Sequence, residues 1–433
     1  MIATLHTAVD EIRTGRRTPV DLLEACLERI DRLEDRIHAW VFVNHKGARA
    51  EADRLTAELR RGEWRGPLHG IPIGIKDIFD VADWPTSAGS RLWKDNIAQQ
   101  DATVVQRLRE AGAIFVGKTV TTQYASFDPP PTRNPWDVRR TPGGSSSGSA
   151  AALACGMCLG ALGSQTGGSI TRPASYCGVA GLKPTFGRVS TQGVVPLAAS
   201  MDHVGAMARC VRDLGILYQT IADPENSEEA PAPTLPPRLG RLRGFFENRA
   251  DDSVLRMMDE ACDRFSAGGA AIMEVTLPDG FAEVTARHRT VMAVEAAAFH
   301  ETRLRSVPHD YDANIRALLE EGLACPAPEY ARCKDAQIRL RDAMRACFTG
   351  VDALLTPATT GPAPDAATTG DPLFNSPWSF TGLPTVCFPG SRSREGLPLG
   401  VQLVGAPWRE NGLLTIAAWC EDVLGFEATE PSL

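Results

Sequence analysis

The sequence has no surplus of positive charge: 45 Lys and Arg stand against 53 Asp and Glu, a net charge of −8, with neither sign gathered into a run. Nucleic acid and anionic membrane surfaces therefore have no basic patch to bind. Long apolar runs are missing too. The most apolar stretch, AAALACGMCLGALG from Ala150, is broken by glycines and falls short of the roughly 20 residues that span a bilayer. The opening MIATLHTAVDEIRTGRR lacks the apolar segment of a secretion signal, so a cytoplasmic protein is expected. The 11 cysteines are an odd number with no disulfide-like spacing, which reads as reduced, mostly buried thiols. Cys155 and Cys158 form one CxxC with no second pair and no histidine nearby, the mark of helix filling rather than a metal site. No repeat of solenoid length is present.

What the chain does have is a core and many turns. Of 433 residues, 43% are hydrophobic and 23% charged, the balance of a soluble globular protein. By length alone, one to three domains are open. Residues 3–62 read as helices, with Leu22, Leu23, Cys26, Ile30 and Leu33 recurring at three and four residues. Short apolar strands follow at Ile71, Ala113 and Ala161, then at Asp352, Val386 and Val401, with a last helix from about Asn411. Strands alternating with helices predict an α/β layered fold with helices on both faces of the sheet. The proline-rich and acidic stretch from Ala222 to Arg238 reads as a linker, and Asp251 to Phe348 reads as mainly helical.

The 39 glycines and 31 prolines exceed the usual share, and the excess is clustered. From Pro142 to Gly187 the chain is dense in Gly, Ser and Ala, residues that let backbones approach each other or a ligand. Two familiar patterns in and near this region fail on context. GAIFVGKT, Gly112 to Thr119, matches a phosphate-binding loop, but its four middle residues are themselves a strand whose amides belong to the sheet. Lys118 is then a structural residue at a strand end. GSSSG, Gly144 to Gly148, matches a hydrolase nucleophile elbow, yet charge and proline precede it where an apolar strand is needed. None of His203, His288, His300 and His309 sits in a recognisable catalytic turn.

Two serines and a lysine fit better. Ser169 ends QTGGS, where the amides of Thr166, Gly167, Gly168 and Ser169 could converge as an oxyanion hole. Ser145 opens the SSS run after Gly143 and Gly144. Lys76 ends the apolar run IPIGIK, where desolvation by Ile73, Ile75 and Ile78 lowers an ammonium pKa. Half neutrality at pH 7 asks for about 4.6 kcal/mol of such help.

With these segments in order, and with GIKD at Gly74, GKT at Gly117, NPW at Asn134, TGLP at Thr381 and VQLVG at Val401, the chain resembles the amidase signature family over most of its length. The resemblance implies an α/β amidase-signature fold, a large mixed sheet covered by helices on both faces. It implies a Ser–cisSer–Lys triad with Ser169 as nucleophile, Ser145 as bridge on a cis peptide after Gly144, and Lys76 as base, and it implies no cofactor or metal. Since those residues and the TGLP segment must meet, residues 1–433 are expected to form one domain. Its core would be about 65–221 and 349–425, with a helical elaboration over about 240–348.

The chain departs from the family pattern at two places: Gln165 stands where many members have Asp, and Thr171 precedes the arginine, Arg172. QTGGSITRPASYCG looks like the malonamidase-type branch, in which the arginine holds a substrate carboxylate; the other role for Arg172 is to tie down neighbouring carbonyls. Tyr124, Phe127, Trp378 and Phe380 are candidate pocket walls. The expected function is hydrolysis of small amides through an acyl-enzyme by a monomer or homodimer, with carbamates or esters as further substrates. The alternative is a subunit like those of the glutamyl-tRNA amidotransferases, which works in a tRNA-bound complex; Gln165, the shifted Arg172 and the lack of a partner-specific extension argue against it.

Overall fold

The computed structural model describes residues 3–224, 233–426 and 430–431. Of the expected linker, residues 225–232 lie outside the described residues. The strands are β1 (Trp40–Val43), β2 (Pro72–Lys76), β3 (Ile114–Thr119), β4 (Gly160–Gln165), β5 (Ala180–Lys183), β6 (His203–Ala208), β7 (Arg238–Arg241), β8 (Ala271–Glu274), β9 (Ala353–Pro357), β10 (Thr385–Arg392) and β11 (Pro398–Val404). All join one sheet in the order β1-β3-β2-β4-β6-β5-β10-β11-β9-β7-β8. Pairing is parallel through β3-β2-β4 and through β9-β7-β8, and antiparallel elsewhere. The mixed sheet is therefore as the family resemblance implies.

Alternation along the strands splits the apolar side chains between two faces. Ile114 and Val116 of β3, Ala161 of β4 and Met207 of β6 pack with the helices Pro19–Ile37, His45–Arg60 and Ser147–Ala154 in one core. Phe115, Leu162, Ala206 and Ala208 face a larger core on the opposite side, shared with helices Thr103–Glu110, Val211–Ile221 and Glu410–Leu424. Helices cover both faces. Those near the start are well marked locally: Thr18 and Asp21 form a capping box and Pro19 opens the second helix.

The central strands set up the site. β2 and β4 run parallel, with Ile73 opposite Gly160 and Gly74 opposite Ala161, so their C-terminal ends, Lys76 and Ser164–Gln165, come out side by side. The helix Ser147–Ala154 consists of Ser, Gly, Ala and Leu and is buried throughout. Its small side chains are needed for fit: a Cβ on Gly148 would stand 2.2 Å from the Ala39 carbonyl oxygen and 2.4 Å from the Val120 nitrogen. This close approach brings Ser145, just before the helix, to the end of β2.

Candidate active site

Lys76 is fully buried at the end of β2. Its Nζ lies 2.7 Å from Ser145 Oγ and 2.7 Å from Ser164 Oγ. Burial among apolar side chains holds the amine well below the usual lysine range, and the opposing pull of the Asp202 carboxylate does not restore it. An amine so lowered, hydrogen-bonded to a serine hydroxyl, is one that can take its proton. The Gly144–Ser145 peptide is cis.

Ser169 follows β4 by a short segment and precedes the helix Thr171–Cys177. It is 7% exposed, the only member of the expected triad with open surface. Its hydroxyl makes no hydrogen bond among the described residues, while its carbonyl accepts from the Ser146 amide at 3.3 Å, which ties the two serine segments together.

The segment between β4 and Ser169 has an uneven bonding pattern. Each carbonyl is held: Thr166 by His288 Nε2–H at 2.8 Å, Gly167 by the Ser379 hydroxyl at 3.1 Å, Gly168 by the Arg172 amide at 2.9 Å. The amides of Gly167, Gly168 and Ser169 donate to no group among the described residues. Carbonyls anchored on one side leave adjacent amides pointing to the other, the arrangement that receives an oxyanion. The Thr166 hydroxyl donates to Asp202, a half-buried carboxylate whose pKa desolvation pushes up to about 6. Gln165 occupies the place of the family's Asp and does a capping job: its Oε1 accepts from the amides of Ile170 and Thr171, each at 3.0 Å, and from the Thr171 hydroxyl at 3.1 Å.

The Amidase family model matches residues 21–414. The chain belongs to the amidase family. An amidase of Pseudomonas putida is 35% identical, covering 99% of this chain and 98% of its own. A glutamyl-tRNA(Gln) amidotransferase subunit of Prochlorococcus marinus is 33% identical, with 94% of each chain covered. Among solved structures, an amidase crystal structure has a TM-score of 0.88 at 36% identity, covering 97% of this chain and 99% of its own. The chain is accordingly a hydrolase of C–N bonds that acts on amides.

Several expected wall residues of this amidase stand elsewhere. Tyr124 is fully buried; its hydroxyl donates to Asp310 at 2.7 Å and its ring packs on Trp93, His300 and Tyr311. Trp378 is fully buried and stacks on Phe246 at 5.6 Å, and Phe380 is buried with its carbonyl held by Gln337. These three fill core, because an aromatic ring gains most where all its surface is covered. Phe127 does line a cavity beside Gly167. Arg172 is 1% exposed and lines neither of the two cavities beside the site; its Nη2 donates to the Gly144 carbonyl at 2.7 Å and to Thr369 Oγ1 at 3.4 Å. Its guanidinium braces the turn behind Ser145, while Nε and Nη1 have no partner among the described residues.

Sequence reasoning does not single out Ser164, Asp202, His288 or Ser379 as site residues. Only Ser164 carries a signal, its place one residue before Gln165 in a strand of small residues. Lys118 is structural: buried, it lies 2.9 Å from the Asp77 carboxylate and donates to the carbonyls of Phe79 and Pro85. Cys155 and Cys158 are both buried free thiols. Among the described residues one group could hold a metal, His6, Cys210 and Asp213, and there the Asp213 carboxylate already accepts from the Leu5 and His6 amides. No described helix is long and apolar enough to cross a membrane.

Proposed function

We propose that the chain hydrolyses small amides by forming an acyl-enzyme on Ser169, with Ser145 and Lys76 as proton relay and no cofactor. The observation that carries this is the bonded Lys76–Ser145 pair, tied through the Ser146 amide to a serine whose neighbouring amides are free and whose neighbouring carbonyls are tied down. Neutral Lys76 takes the proton of Ser145 as Ser145 takes that of Ser169, and the Ser169 oxygen bonds to the substrate carbonyl carbon. The oxyanion rests on the amides of Gly167, Gly168 and Ser169; loss of one such donor is worth about 10²–10³ in rate. The C–N bond then breaks as the proton returns through Ser145 to the leaving nitrogen, since an unprotonated amide anion is a very poor leaving group. Water hydrolyses the ester by the same relay.

Carbamates and esters of the same acyl shape present the same carbonyl to Ser169 and belong to the proposed range. In this reading Arg172, which donates through Nη2 to the Gly144 carbonyl and lines neither cavity beside the site, supports the Gly144 turn rather than a substrate carboxylate. The relative named for its place in an amidotransferase supports a second reading, a subunit that needs partners for its main reaction. The test is hydrolysis by the purified single chain of a panel of aryl amides, short dicarboxylic monoamides and aryl carbamates, with Ser169→Ala as blank. Amine release by the intact chain alone, absent from Ser169→Ala, is expected. No release from any amide would sink the proposal, and release only with added partner subunits would favour the second reading.

A further inference from the structure

A cavity of ≈ 460 Å³ opens beside Gly167, lined in part by apolar side chains that include Phe127, Phe245, Met292 and Leu373. Of its rim arginines, Arg289 is paired with Glu321, and Arg249 donates to the Phe245 carbonyl at 2.9 Å and lies over the Phe245 ring. Two polar side chains in the lining each keep an atom without a partner among the described residues. His288 is 3% exposed and gives its Nε2–H to the Thr166 carbonyl. Burial pushes the ring pKa down to about 4, so the ring is neutral at pH 7 and Nδ1 is an acceptor. Nδ1 makes no hydrogen bond among the described residues. The ring borders the oxyanion segment, its Cε1 3.7 Å from where a Cβ on Gly167 would stand. Ser376, 1% exposed, has a hydroxyl with no partner among the described residues, carried on a single bond that can turn it toward the cavity. Buried polar groups are almost always hydrogen-bonded. A buried Ser376 hydroxyl and a His288 Nδ1, both without a partner among the described residues in the lining of an apolar cavity next to the Thr166–Ser169 segment, mark a place where substrate completes the bonding.

We propose that this cavity is a subsite for a second amide-type group of the substrate, whose N–H donates to His288 Nδ1 and whose carbonyl accepts from the Ser376 hydroxyl, with a neighbouring apolar side chain on the walls. The inference rests on the amide-hydrolase reading of Ser169. It names the substrate class as N-acylated amino amides. His288 has two jobs: Nε2–H positions the oxyanion segment through Thr166, and Nδ1 reads the substrate.

The probes are N-acetyl-L-leucinamide and 4-methylpentanamide, which differ only in the acetylamino group. Their dissociation constants are measured by calorimetry on Ser169→Ala, where no turnover intervenes, and kcat/KM is measured on the intact enzyme. The acetylamino compound should bind Ser169→Ala at least about tenfold more tightly, the worth of one or two hydrogen bonds. Adding Ser376→Ala, or separately His288→Phe, should pull that ratio toward one. If His288 and Ser376 only support the fold, both compounds weaken together and the ratio stays, which overturns the proposal. Equal binding of the two compounds to Ser169→Ala, or no binding of either, overturns it as well. Failure of the intact enzyme to hydrolyse either amide counts against the hydrolase reading alone, because the binding ratio decides the subsite without turnover.

Discussion

Lys76 does its proposed work as a base, and burial is what holds its pKa well below the usual lysine range. Its folded pKa lies below the unfolded value of about 10.4, so between the two the unfolded chain holds a proton that the folded chain does not. Stability gains from Lys76 as pH rises through that window, by about 1.4 kcal/mol per pH unit. Urea unfolding of Lys76→Met across pH 7 to 10 should lack this slope relative to wild type; an identical slope in both would show Lys76 charged in the fold. Asp202 acts the other way, favouring the ammonium. Asp202→Asn removes that pull, so the acid limb of kcat/KM, which rises as Lys76 loses its proton, should move to lower pH. A limb that stays put would mean that the carboxylate serves only to hold Thr166. Arg172→Met should lower turnover of neutral and carboxylate-bearing amides by the same factor, since the turn at Gly144 is what it supports; selective loss of the monoacid amides would return Arg172 to the substrate. The contrast in legibility is instructive. Lys76, Ser145 and Ser169 stand in segments whose composition is itself unusual, so the sequence marks them. Asp202 and His288 reach Thr166 from 36 and 122 residues away, and ordinary Asp and His in ordinary contexts leave no local mark.

Elements are legible where a strand is buried on both faces and reads as an apolar run, as in β2, β3, β9 and β11. β1, inside the stretch read as helices, and β5, β6, β7 and β8 escape, the edge and polar ones for plain physical reasons. β5 is AGLK, and its buried lysine is satisfied by the carbonyls of Pro184 and Leu383. β7 is RLGR, where Arg241 is paired with Glu247 and Asp259, and β8, AIME, is a largely exposed edge strand. The helix Thr171–Cys177 is the element on which the proposed nucleophile depends, and its N-terminus has no cap from the residue preceding it. Gln165 supplies the cap from the end of β4. Gln165→Ala should therefore destabilise the protein by about 1–3 kcal/mol, with buried amides left unpaired, and Gln165→Glu, which keeps the acceptor, should lose less. Equal urea midpoints for Gln165→Ala and wild type would refute this.

The segment 240–348 is fastened to the sheet at the places that matter for chemistry, and on that ground we propose that the whole chain acts as one unit. His288 holds the Thr166 carbonyl of the proposed oxyanion segment, Glu295 accepts from the Ser200 amide at 2.9 Å, and Asp128 accepts from the amides of Asn314 and Ile315. Asp310 is the central clasp. Its carboxylate accepts from Ser90 Oγ at 2.8 and 3.0 Å, Tyr124 Oη at 2.7 Å and Arg303 Nη2 at 3.1 Å. Burial alone would raise its pKa, and the bonds from Tyr124, Ser90 and Arg303 outweigh that and lower it. The clasp is thus present above the unfolded carboxylate value of about 4 and is lost as pH falls through the lower folded value. Asp310→Ala leaves three donors unmatched, a loss on the order of 3–5 kcal/mol at neutral pH, and the gap from wild type should shrink in acid. Hydrogen exchange tests where the loss falls. Amides of 284–324 should exchange faster in Asp310→Ala while those of β2, β4 and β6 keep their protection, and hydrolysis should drop in parallel, because the helix that frees itself carries His288. Faster exchange in 284–324 with undiminished hydrolysis would break the link between this segment and the oxyanion amides. Uniformly faster exchange across the sheet would show instead that segment and sheet open together.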